Sequence, residues 1–65
     1  MPKVTKEQLD YSLRLLTREM PVWPRSVSKM FGADDNTLAN ADTIYWWQVS
    51  RARETIVRAI IEGVE

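Results

Sequence analysis

Two prolines three residues apart, in the stretch Pro21-Val22-Trp23-Pro24, divide the chain before anything else does. The residue preceding a proline is pushed out of helical geometry, so a helix arriving from the N-terminus must end by Met20. Proline suits the first turn of a helix, so Pro24 is placed to open the next one. The stretch is a rigid elbow, and helices must form separately on its two sides.

Upstream of the elbow, Thr5 and Gln8 have the spacing of a capping box, and Val4 and Leu9 that of a hydrophobic staple. Leu9, Leu13, Leu16 and Met20 recur at helical spacing and predict a core-facing stripe, with Val4, Tyr11 and Leu15 as a lesser second one. Asp10 and Arg14 form an i,i+4 pair on the outside. The first helix is expected over about residues 5–19. Beyond the elbow, Val27, Met30 and Phe31 supply a short apolar face that Gly32 ends, which predicts a second helix over about 24–31. The run Ala33–Asp42 is polar, with Leu38 as its one large apolar residue. Asp34, Asp35, Asn40 and Asp42 are N-cap candidates there. It reads either as a short helix over about 35–41 or as a loop opening the last helix. A long helix is expected over about 43–62, ended by Gly63. The expected fold is all-α: one domain, residues 1–65, a small bundle of three or four helices with a long C-terminal one.

Projected at about 100° per residue, that last helix has three faces. Tyr45, Val49, Ala52, Ile56, Ala59, Ile60 and Gly63 share the first, expected to be core. Trp46, Val57, Ile61 and Val64 share the second. Trp47, Arg51, Glu54, Arg58 and Glu62 share the third. The two apolar stripes cover about 200°, where an ordinary surface helix needs about 100°. Either the other helices nearly enclose it, or the second stripe meets another chain. The adjacent rings Tyr45, Trp46 and Trp47 divide accordingly. Tyr45 is expected to face inward, and Trp46 to be core or the centre of an interface. Trp47 is expected either to lie over Arg51 or under the elbow near Trp23, or to anchor a partner. Trp23 is expected to be partly exposed or to cap the bundle end.

The 65 residues contain no Cys and no His, which excludes disulfides and the usual zinc, iron and copper sites; no cofactor is expected. A domain this small hides only about 60% of its unfolded surface and usually needs a staple, which leaves tight packing or association. Nine basic residues balance nine acidic ones, a net charge of zero that disfavours a dedicated nucleic-acid binder. No apolar run approaches the ~18 residues of a membrane span, and the first residues are too polar for an export signal, so a cytoplasmic location is expected. Without His, Cys or a serine beside a recognisable base, catalysis would fall to Asp34, Asp35 and Asp42, and helix capping explains these more simply. The same run lacks the central glycine and closing glutamate of a calcium loop. No enzyme activity and no metal are expected.

Val27, Ser28, Phe31, Gly32, Leu38 and Ala41, with Ala33 after the glycine, resemble the helix-turn-helix motif of small DNA-binding repressors, over about a quarter of the chain. The resemblance implies a base-reading helix carrying Asn36, Thr37 and Asn40, with Arg25 and Lys29 on phosphate. Asp34 and Asp35 depart from it, because they would face phosphates. The first expectation is a non-catalytic regulator or inhibitor, of the small kind found in bacteria and phages, that binds another protein as a homodimer. Its contacts would come from Trp46, Trp47, Arg51, Val57, Arg58, Ile61 and Trp23. The alternative is a helix-turn-helix transcriptional regulator using Arg25, Lys29, Asn36, Thr37 and Asn40.

Overall fold

The computed structural model describes residues 3–65. Four helices follow in order: α1 (Lys6–Leu16), α2 (Arg25–Met30), α3 (Asp35–Ala39) and α4 (Ile44–Glu62). The fold is an all-α bundle with a long last helix, and the run after Gly32 does contain a short helix. α1 opens on the reciprocal capping box, with Thr5 Oγ1 accepting from Gln8 N–H at 3.1 Å and Gln8 Oε1 from Thr5 N–H at 3.1 Å. It ends at Leu16, earlier than the proline requires. Arg18 takes a left-handed φ of 63°, and Met20 N–H closes the turn onto Arg14 C=O at 3.0 Å. A non-glycine residue there costs about 1–2 kcal/mol, which the satisfied carbonyls help to offset.

α1 and α4 make the principal helix contact and run antiparallel. Val4, just before α1, forms a parallel bridge with Val64, just after α4, and Glu65 N–H donates to Val4 C=O at 2.8 Å. At the other end Leu15, Leu16 and Arg18 stand beside Tyr45 and Val49. Small residues allow close approach: Ser12 on α1 and Ala52 on α4 are both fully buried. Ser12 and Thr55 are polar but satisfied, each hydroxyl donating to the carbonyl one turn back at 2.8 Å, so their burial costs little.

The core is Leu15, Trp23, Val27, Phe31, Val49 and Ala52, with Tyr11, Leu16, Met20 and Trp47 packed against it. The face of α1 is thus rotated from the expected one. Val4, Ser12 and Leu15 are buried, while Leu13 of the predicted main stripe is 45% exposed and Leu9 half-buried. α4 is rotated too: Gln48, Val49, Ala52 and Thr55 face inward, and Ile60, assigned to the core, is 79% exposed. Tyr45 is exposed rather than core, because α1 stops at Leu16 and leaves only a gap of about 200 Å³ over it. Val64 belongs to no helical stripe, since α4 has ended at Gly63 with φ 91°.

Trp23 is the largest correction: it is 2% exposed and so is no surface anchor. Its ring stacks on Phe31 at 4.1 Å and 16°, and its Nε1 donates to Tyr11 C=O at 2.9 Å. The elbow gives its backbone no regular partner, and Gln48 supplies one. Gln48 Oε1 accepts from Trp23 N–H at 3.0 Å, while Nε2 donates to Trp23 C=O at 3.1 Å and to Ser28 Oγ at 2.9 Å. This buried side-chain amide ties the elbow and α2 to α4. Among the described residues no buried side-chain polar atom lacks a partner.

Candidate functional site: a groove between α3 and α4

Phe31 ends α2, Gly32 turns at φ 95°, and Asp34 starts α3. Asp34 accepts from Thr37 N–H at 2.8 Å, and this backbone bond lowers its pKa below the ordinary carboxylate value. No residue of α3 is fully buried. α3 lies against the start of α4, and Ile44 N–H donates to Asn40 C=O at 3.0 Å, so the two are joined with almost no loop.

Between them is an open groove of about 560 Å³. Asn36, Thr37 and Asn40 line it from α3; Trp46, Trp47 and Ser50 line it from α4, with Thr43 at the junction. Its surface is uncharged: amides and hydroxyls on one side, indole rings on the other. Trp47 is half-buried against the core, with the Arg51 guanidinium 5.4 Å from its ring centroid. Trp46 is 68% exposed and meets Tyr45 edge-on at 5.4 Å and 72°. The three rings therefore sort differently from the helical projection. Trp47 is the innermost, Tyr45 lies at the surface, and Trp46 stands out into solvent.

The groove brings together members of two separately expected sets. Asn36, Thr37 and Asn40 join Trp46 and Trp47 there. Arg25 does not join them; it lines another cavity beside Trp23 and Gln48, and pairs with Asp35 at 3.7 Å. Lys29 is exposed on α2. Val57 and Ile61 lie farther along α4, 53% and 76% exposed. Arg58 is half-buried and bonds Glu62 at 2.9 Å. Sequence reasoning missed Thr43 and Ser50 as groove residues and Ile60 as an outward one. Thr43 and Ser50 carry no signal except their projection onto the side of Trp46. No cluster of acidic side chains suited to a metal ion occurs among the described residues, and no described helix is long and apolar enough to cross a membrane. No known protein family, characterised protein or solved structure matches the chain.

Proposed function

We propose that this is a small non-catalytic regulatory module that works by binding another protein, as a homodimer, through the outer face of α4 and the groove beside it. One observation carries the reading. Trp46, Val57, Ile60 and Ile61 stand out from one helix at 68%, 53%, 79% and 76% exposure. Single exposed apolar residues need no explanation, but a row of large ones along a helix marks an interaction surface. Tryptophan is also the residue most enriched where binding energy concentrates. The groove adds hydrogen-bonding groups suited to the main chain of a protein partner, next to rings suited to its apolar side chains.

A helix-turn-helix role is the second reading, favoured by the α2–Gly32–α3 arrangement and by the outward amides of Asn36 and Asn40. Against it stand the acidic start of α3, the ion pair that engages Arg25, and the zero net charge. A pull-down separates the two, comparing the wild type with Trp46→Ser/Asn40→Ala, both groove positions at the surface. A nuclease-resistant protein band retained by the wild type and lost by the variant is the expected result. Recovery of DNA alone, with affinity falling steeply as salt rises, would overturn it in favour of the second reading.

A further inference from the structure

We infer that the gap between the end of α1 and the first half of α4 takes a phosphorylated tyrosine of a partner protein. The inference rests on the protein-binding reading and names the side chain that the partner offers. Leu15, Leu16 and Arg18 line the gap from the α1 side, and Tyr45, Trp46, Val49 and Arg53 line it from α4.

The arginines carry the argument. The chain has six of them. Arg14, Arg25, Arg51 and Arg58 each pair with a carboxylate among the described residues. Arg18 and Arg53 form no such pair there, and these two line the same gap, whose lining holds no acidic residue. The end of α1 does not need the Arg18 side chain. Its Leu13, Arg14 and Leu15 carbonyls already accept from the N–H groups of Thr17, Met20 and Arg18. Arg18 also sits at φ 63°, where glycine would be unstrained, so the backbone gives no reason for an arginine there. Two guanidiniums at one gap repel each other and favour an anion shared between them. A phosphate monoester carries about −1.5 to −2 charges near pH 7 and balances both; a carboxylate balances one.

The rest of the lining selects what carries the phosphate. Leu15 and Val49 are buried and give the gap an apolar floor, and the exposed rings of Tyr45 and Trp46 meet edge-on beside it at 5.4 Å and 72°. Such surface packs an aromatic ring, which phosphoserine lacks. At about 200 Å³ the gap is smaller than the roughly 300–1,000 Å³ that encloses a whole small ligand, so it suits one side chain of a larger molecule. Nucleic acid would need a longer basic track, and the other arginines are already paired. Trp46 lines the α3–α4 groove as well, so the two sites adjoin.

The test is an NMR titration with phenyl phosphate, beside inorganic phosphate (charge without a ring) and phenylacetate (a ring with a single charge). Phenyl phosphate is expected to shift the Trp46 indole N–H and the Tyr45 and Val49 amides, and to bind at least about tenfold more tightly than either comparator. Arg18→Gly removes a guanidinium while easing the backbone, and Arg53→Gln keeps a good helix former at an exposed position, so both retain the fold. Each is expected to weaken phenyl phosphate binding about tenfold, while Asn40→Ala, in the groove alone, leaves it unchanged. Equal affinity for inorganic phosphate, or binding that neither arginine variant weakens, overturns the assignment. A wild type that ignores phenyl phosphate yet keeps its protein band in the pull-down overturns this ligand and leaves the protein-binding reading standing. Phenyl phosphate bound by a chain that retains no protein assigns the gap to a free aryl phosphate and overturns the phosphotyrosine.

Discussion

Gln48 decides more of the structure than any other single side chain. Its position next to Trp47 and Val49 reads as a polar interruption of an apolar stretch. In the fold it is 1% exposed and replaces, for the elbow, the backbone partners that a helix or sheet would have supplied. Gln48→Ala would leave the N–H and C=O of Trp23 buried and unpaired, at about 1–3 kcal/mol each. A core this small supplies only about 3–5 kcal/mol in all. Gln48→Ala is therefore expected to be largely unfolded at 25 °C by far-UV circular dichroism; an unchanged urea midpoint would refute the role assigned to this amide. A tryptophan between prolines looks exposed until something reaches across to satisfy its backbone.

Among the elements, α1 and α4 hold their shape through mutual packing, whereas α3 depends on its cap. It is five residues long with none fully buried, so local hydrogen bonding matters most there. The Asp34 carboxylate accepts from Thr37 N–H and has a lowered pKa for that reason. A carboxyl group whose folded pKa is depressed contributes stability above its unfolded value, and that contribution fades as pH falls through the folded one. The α3 amides are thus expected to exchange faster with solvent below about pH 4, where the unfolded carboxyl titrates, while α1 and α4 stay protected. Asp34→Asn, which keeps an acceptor without the charge, is expected to remove that step from the pH profile measured by NMR hydrogen exchange. Equal acid sensitivity in the variant would show that the step comes from elsewhere. Existence and order of α1, α2 and α4 were legible from caps and breakers, Thr5 and Gln8, Pro21 and Pro24, Gly32 and Gly63, while the run holding α3 read equally as helix or loop. The inward faces of the helices were less legible. Hydrophobic spacing put Leu13 and Ile60 inside, and the fold put Ser12 and Thr55 there, because a hydroxyl bonded one turn back is cheap to bury and small enough to bring two helices close.

For the whole molecule, the shortest dimension is 16 Å, which is two helices deep. α4 packs on α1, holds the elbow and α2 through buried Gln48, and has the short α3 against its start. Trp46, Val57, Ile60 and Ile61 of α4 are left exposed. In the homodimer proposed above, a chain without disulfides would gain stability from its second copy, which makes melting depend on concentration. The melting temperature is expected to rise by about 3–5 °C per tenfold increase in protein concentration, from half of RT ln 10 per chain and the entropy of a domain this size. A melting temperature flat across that range, followed by scanning calorimetry, would contradict obligate association. Of the groove, the sequence showed its parts but not their meeting. Asn36, Thr37 and Asn40 were singled out for one reason and Trp46 and Trp47 for another, and only the tight α3–α4 junction at Asn40 and Ile44 sets them face to face.

By itself the sequence determined an all-α chain broken at the Pro21–Pro24 elbow, with a long final helix that is apolar over more than one face. These follow from local rules: capping hydrogen bonds, proline and glycine backbone limits, and side-chain spacing. Tertiary structure decided which side of each helix turned inward and which of three adjacent rings was left outside. Those choices rest on contacts between residues far apart in the chain, above all Gln48 with Trp23 and Ser28. There a polar side chain is more stable inside than out, and no periodicity in the sequence records its partner.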